Sequence, residues 1–189
     1  MNLPNKLSVL RICMIPVFVV LFYVEFPYHY TVSAAVFALA AATDFLDGHI
    51  ARKYNMVTNL GKFLDPIADK VLVSTAFIVM LTVPQILPPL WGIAVAVILA
   101  RELIVSGFRT VAASRSLVLA ADKIGKIKTV FQDFSVVVLL VGGDLADVPA
   151  VNIVGLVLLG IAAALTIVSG VNYVCLLYTS DAADDRISV

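Results

Sequence analysis

Long apolar runs separated by short polar connections dominate this chain and predict an all-α fold. Two of the runs, 71–100 and 148–180, contain no charged residue. Each is longer than the roughly 20 apolar residues that a bilayer-spanning helix needs. Proline and short polar segments mark the helix ends. The pattern predicts six transmembrane helices over residues 7–26, 31–54, 60–83, 89–113, 125–142 and 148–176.

The composition agrees with a multi-pass membrane protein. Hydrophobic residues make up 61% of the chain and the mean hydropathy is +1.04, whereas soluble domains contain about 45–50% apolar residues. The net charge is zero, so the total charge gives no information about binding partners. We expect no nucleic-acid binding. Cys13 and Cys175 both lie in apolar runs and give neither a disulfide framework nor a metal-ligand spacing.

The distribution of cations predicts the orientation of the helices. The connections near Pro27, Pro84 and Asp144 carry no Lys or Arg. The N-terminus and the connections on the other side of the membrane carry seven cations: Lys6, Arg11, Arg52, Lys53, Lys62, Arg115 and Lys123. The positive-inside rule assigns that second side to the cytoplasm, and an even number of spans then makes both termini cytoplasmic.

Four aspartates occur within the stretch TDFLDGHIARKYNMVTNLGKFLDPIADK, residues 43–70. Asp44 and Asp47 are three residues apart and Asp65 and Asp69 are four apart, so each pair lies on one side of its helix. At a rise of about 1.5 Å per residue, all four lie roughly 20–28 Å from the opposite membrane surface. Carboxylates gathered at such depth need a positive partner. Oxygen ligands without His or Cys favour Mg²⁺, Mn²⁺ or Ca²⁺.

A less specific interpretation is that the aspartates pair with neighbouring cations at a wet surface: Arg52, Lys53, Lys62 and Lys70. The small residues Gly48, Ala51 and Gly61 would let a ligand approach the backbone, although close helix packing explains them equally well. Arg52 is suited to bidentate contact with a phosphate.

Further cations follow in the fourth and fifth predicted helices. Arg101 lies at membrane depth, where a charged residue marks a functional site; the alternative is an ion pair with Glu102 or Asp133. Glu102 is expected only to orient the arginines. Lys126 and Lys128 are about 200° apart on their helix, so only one can face a cavity. We assign Lys128 as a snorkelling anchor at the interface.

The aspartate stretch resembles the CDP-alcohol phosphatidyltransferases. It fills every fixed position of their pattern D-x2-D-G-x2-A-R-x8-G-x3-D-x3-D with Asp44, Asp47, Gly48, Ala51, Arg52, Gly61, Asp65 and Asp69. The segments LPNKLSVLRI, GKFLDPIADK, ARELIVSGFR and GKIKT are similar to the members that use glycerol 3-phosphate. The resemblance covers residues 2–173.

The resemblance implies a six-helix enzyme of the bacterial inner membrane with a cytoplasm-facing cavity, usually a homodimer. It implies two Mg²⁺ or Mn²⁺ ions held by Asp44, Asp47, Asp65 and Asp69, with Asp69 also the general base. Gly48, Ala51, Arg52 and Gly61 would hold the cytidine diphosphate. The acceptor phosphate would contact Arg101, Arg109 and Lys126, the lysine that the family pattern favours.

The implied reaction transfers the phosphatidyl group of CDP-diacylglycerol to glycerol 3-phosphate and releases CMP. Inositol phosphate is the alternative acceptor, because its phosphate would also need the cationic residues. A divalent-cation transporter is a remote alternative, since intramembrane carboxylates also line ion paths. Against it, the acidic cluster is off centre, and Arg101, Arg109 and Lys126 would repel a passing cation.

The C-terminal end differs in character from the rest of the chain. The segment VCLLYTSDAADDRISV, which follows Tyr173, contains three aspartates and one arginine, where a basic end would suit the cytoplasmic side. It is also similar to a translated sequencing adapter. We therefore expect a membrane domain over residues 1–175 and a non-native tail over 176–189.

Overall fold

A computed structural model of the chain describes residues 3–53, 59–114, 123–145 and 147–184. Side chains are described for residues 8–43, 67–108, 124–145 and 147–172. The described residues contain no strand, so the predicted all-α class is confirmed. The elements are α1 (Leu3–Tyr23), α2 (His29–Lys53), α3 (Asn59–Leu81), a short 3-10 helix (Pro89–Trp91), α4 (Gly92–Ser114), α5 (Lys123–Asp144) and α6 (Pro149–Asp184).

The six helices pack as a closed ring. α1 contacts α2 and α3, α2 packs on α5, α5 on α6, α6 on α4, and α4 returns to α3. α3 also touches α2 and α5, to the same extent as it touches α4. The close approach of α5 and α6 depends on Gly155, where a Cβ atom would come within 2.7 Å of the Leu139 side chain.

Each helix buries one stripe of residues with helical spacing. In α1 the stripe is formed by Ser8, Arg11, Ile15, Phe18 and Phe22. Apolar side chains also cover the outer surface, where Ile78, Leu103 and Phe134 are more than half exposed. A helix that is apolar on every side suits a protein core or a membrane. These side chains face outward, which favours the membrane.

Length and hydropathy identify two candidate membrane spans among the described residues. They are Pro89–Phe108, of 20 residues, and Pro149–Asn172, of 24 residues. The segments Ser8–Tyr23 and His29–Thr43 are apolar but shorter. Because less than a quarter of either candidate span is buried within the protein, these helices present their apolar sides outward. These features indicate a membrane protein.

Polar contacts fasten one end of the ring. The Asp144 carboxylate accepts a hydrogen bond from the Thr31 backbone N–H at 2.6 Å, in the first turn of α2. A carboxylate at a helix N-terminus is favourable because it satisfies a free N–H and complements the helix dipole. Asn152 donates to the Gln85 carbonyl at 2.6 Å. These contacts lie at the end of the ring opposite the aspartate motif.

The helix bounds differ from the prediction mainly at the termini. α1 begins at Leu3 rather than at residue 7, and α6 continues to Asp184 rather than ending near residue 176. No Pro or Gly interrupts residues 171–184, so no residue there favours an earlier end. The non-native origin of the tail stays a prediction.

Candidate active site

One carboxylate, Glu102 of α4, links three helices. Its Oε1 accepts hydrogen bonds from Lys128 Nζ of α5 and from Arg101 Nη1, the latter at 3.1 Å. Lys70 Nζ of α3 lies 4.0 Å from its Oε2. We call Lys70, Arg101, Glu102 and Lys128 the ion cluster. It contains three cations and one anion, and Lys70 directly follows Asp69 on α3.

Three members of the ion cluster, Lys70, Glu102 and Lys128, line a small recess of about 20 Å³. Asp69, the predicted general base, lines this recess together with residues of α3, α4 and α5. The other lining residues are Lys70, Val73, Ser74, Leu99, Glu102, Lys128, Thr129 and Gln132. The structure therefore places Asp69 beside a cationic group, which suits an anionic reaction partner.

Asp69 reaches this position because it extends the inward stripe of α3. Val73, Ala76 and Met80 are buried and follow Asp69 at steps of four, three and four residues. Such steps keep residues on one face of a helix. The same apolar pattern that packs α3 into the ring thus directs the predicted base into the recess.

The structure corrects the expectation for the two lysines of α5. Lys128 is only 1% exposed and pairs with Glu102, so it is not a snorkelling interface anchor. Lys126 is exposed and shares its stripe with Val130 and Phe134, which also face outward. Lys128 instead begins the inward stripe that continues with Gln132. The role assigned to Lys126 in binding the acceptor phosphate stays a prediction.

Arg101 combines two contacts that hold its guanidinium in place. Its Nη1 donates to Glu102, and its Nη2 donates to Ser169 Oγ of α6. Pairing with Glu102 is the alternative that the sequence left open for this arginine. Its Nε has no hydrogen-bond partner among the described residues. Contact with an acceptor phosphate stays a prediction for Arg101.

Arg11 is a buried cation that the sequence analysis used only to orient the helices. Its side chain is fully buried, and Nε donates to the Ala40 carbonyl of α2 at 3.1 Å. Ala40 precedes Asp44 by one helical turn. The signal for this placement was available, because Arg11 falls between Ser8 and Ile15 on the buried stripe of α1.

The remaining predicted site residues lie outside the described side chains. Asp44, Asp47, Gly48, Ala51 and Arg52 belong to α2, Gly61 and Asp65 to α3, and Arg109 to α4. Among the described side chains there is no group of three or more potential metal ligands. The chemistry of the predicted donor set still fits hard divalent cations, because it consists of carboxylate oxygens.

Two larger concavities lie away from Asp69. One, of about 620 Å³, is lined by Phe22, Tyr23, Glu25, Phe26, His29, Tyr30 and Val83. The other is an apolar groove of about 490 Å³ between α4 and α6, which Arg101 borders. Volume alone would favour these sites. We base the assignment on the recess because it brings together titratable groups from three helices.

Comparison with known proteins agrees with the family resemblance of the aspartate stretch. A sequence model of the CDP-alcohol phosphatidyltransferase family matches residues 1–168. A Rickettsia bellii protein named CDP-diacylglycerol–glycerol-3-phosphate 3-phosphatidyltransferase is 42% identical over 172 residues, covering 91% of this chain and 93% of the relative. Proteins of the same name from Bacillus subtilis and Salmonella typhimurium are each 40% identical, covering 91% of this chain and 93% and 92% of the relatives.

Proposed function

This chain belongs to the CDP-alcohol phosphatidyltransferase family, and from that membership we propose that it converts CDP-diacylglycerol and glycerol 3-phosphate into phosphatidylglycerophosphate and CMP. The names of relatives at 40–42% identity, aligned over nine-tenths of the chain, support the reaction and both substrates. The observation that carries the acceptor assignment is the recess in which Asp69 and the buried Lys128 meet.

In this reaction a hydroxyl oxygen of glycerol 3-phosphate forms a bond to the phosphorus that bears diacylglycerol. The bond from that phosphorus to the oxygen of CMP breaks, and Asp69 takes the proton of the attacking hydroxyl. Two divalent ions, held by Asp44, Asp47, Asp65 and Asp69, would neutralise the charge that develops on the departing CMP. Arg52 and the small residues around it would hold the cytidine diphosphate.

The acceptor carries a phosphate, whose burial without a positive partner would be prohibitive. We assign this phosphate to Arg101, Arg109 and a lysine of α5. The sequence favoured Lys126, whereas the geometry favours Lys128, because Lys128 lines the recess beside Asp69. A neutral acceptor would not need these cations. Inositol phosphate would need them, and it remains the second candidate.

The proposed setting is the bacterial inner membrane, with six spans, both termini cytoplasmic and a homodimeric assembly. The six helices and their outward apolar residues support the number of spans. The cation distribution supports the orientation. A cavity open to the cytoplasm lets the lipid tails stay in the bilayer while the water-soluble acceptor and CMP exchange with the cytosol.

Purified protein in lipid micelles, given CDP-diacylglycerol and one alcohol at a time, tests the reaction. Glycerol 3-phosphate should give phosphatidylglycerophosphate on thin-layer chromatography at least tenfold faster than inositol phosphate, inositol or serine. Equal use of a second alcohol would refute the acceptor while leaving the family intact. No transfer to glycerol 3-phosphate would refute the proposal as a whole.

A matched pair of variants tests the lysine assignment. Lys128→Met should raise KM for glycerol 3-phosphate by about tenfold or more, because it removes a charge-assisted hydrogen bond. Lys126→Met, two residues away on the exposed side, should change it by less than about twofold. A larger effect of Lys126→Met would restore the original sequence-based assignment.

A further inference from the structure

Gln132 of α5 is a buried polar side chain that no step of the proposed reaction uses. It is 4% exposed, and its Oε1 has no hydrogen-bond partner among the described residues. Its backbone carbonyl, by contrast, accepts a hydrogen bond from Ser135 Oγ at 2.8 Å. A buried amide oxygen without a partner costs stability, so such an atom in a native protein calls for an explanation.

The position of Gln132 supplies the explanation. It follows Lys128 by one helical turn, and both line the recess that also contains Asp69. A space of about 20 Å³ is large enough for one water-sized group and too small for a phosphate or a nucleotide. The recess is therefore matched to a single hydroxyl, flanked by the predicted base and the lysine assigned to the acceptor phosphate.

We infer that Gln132 binds the non-reacting middle hydroxyl of glycerol 3-phosphate and thereby determines which phosphorylated alcohol is accepted. This inference rests on the proposed function. A hydroxyl both donates and accepts hydrogen bonds, so it satisfies the amide in either orientation of its oxygen and nitrogen. Because the recess has room for the middle hydroxyl alone, the phosphate stays outside it and the terminal hydroxyl lies at its edge, on the side of Asp69.

This contact would discriminate between acceptor alcohols, because an acceptor without the middle hydroxyl would leave the Gln132 amide without a hydrogen-bond partner. A site built to hydrogen-bond a substrate hydroxyl rejects an analogue without it more strongly than an apolar pocket rejects an extra group. The suitable analogue is 3-hydroxypropyl phosphate, which keeps the phosphate and the terminal hydroxyl but has no middle hydroxyl. The wild-type enzyme should prefer glycerol 3-phosphate over it by about 10- to 100-fold in kcat/KM.

The test measures kcat/KM for both acceptors in the wild type, in Gln132→Met and in Gln85→Met. Methionine keeps the length of the side chain and removes the hydrogen bond. Gln132→Met should lose activity mainly toward glycerol 3-phosphate, so that the preference shrinks to about threefold or less. Gln85→Met is the control, because Gln85 is exposed in the connection between α3 and α4, and it should keep the wild-type preference.

Two outcomes would overturn the inference. One is a Gln132→Met enzyme that loses activity equally toward both acceptors, as a purely structural residue would. The other is a wild-type enzyme whose kcat/KM for 3-hydroxypropyl phosphate lies within about threefold of that for glycerol 3-phosphate. This measurement needs no variant, so it remains decisive if Gln132→Met does not fold. Both outcomes differ from failure of the proposed function, in which the wild type transfers nothing to glycerol 3-phosphate.

Discussion

The ion cluster predicts a large energetic coupling between Glu102 and Lys128. Lys128 is 1% exposed, and the side chains of Glu102 and Arg101 are 21% and 13% exposed. Glu102→Gln keeps the shape of the side chain but leaves Lys128 and Arg101 without their shared counter-charge. Breaking a buried pair in this way costs about 3–5 kcal/mol of stability. Since Glu102 is partly accessible, we expect a value near 3 kcal/mol.

The double variant separates the pair from its surroundings. Lys128→Met alone should also destabilise, because Glu102 then keeps only Arg101 and the more distant Lys70. Removing both partners, in Glu102→Gln with Lys128→Met, leaves no uncompensated buried charge at the pair, so the two losses should not add. We expect a coupling energy of about 2 kcal/mol.

The assay is unfolding of the micelle-solubilised protein by SDS titration, followed by circular dichroism. Glu25→Gln serves as the control, because it removes the same charge from an exposed side chain two residues beyond the end of α1 and should change stability by less than about 0.5 kcal/mol. A coupling energy below about 0.5 kcal/mol would refute the view that this pair joins α4 to α5.

Four further predictions concern the proposed reaction and the C-terminal tail. Asp69→Asn should leave metal and CDP-diacylglycerol binding largely intact but lose turnover by about 10²–10⁴-fold; near wild-type kcat would exclude it as the base. Activity should disappear with EDTA and return with Mg²⁺ or Mn²⁺, and full activity after exhaustive chelation would contradict the two-metal proposal. Arg109→Lys should raise KM for glycerol 3-phosphate about tenfold without changing KM for CDP-diacylglycerol; the opposite pattern in the two saturation curves would move the phosphate site. Truncation after Tyr173 should leave activity unchanged, and loss of folding would show that the tail belongs to the protein.

Helical periodicity made much of this site predictable. The positions of Asp69, Arg11 and Lys128 on inward stripes can each be read from the spacing of their apolar neighbours. For Lys128 the sequence analysis gave more weight to the family pattern than to this spacing, and the expectation of an interface anchor was wrong. Gln132, Ser135 and Leu139 follow Lys128 on its stripe, whereas Val130 and Phe134 follow Lys126.

The sequence by itself determined the helix content and the family, and the gathering of the four carboxylates stays its prediction. These properties depend on residue order within single helices, where hydropathy and residue spacing are sufficient. Only the tertiary structure decided that Glu102 takes Lys128 as its partner and that Gln132 lies beside Asp69. The residues involved are 26 and 63 positions apart in the chain. Their proximity arises from the packing of α3, α4 and α5 around the recess, which no periodicity within one helix specifies.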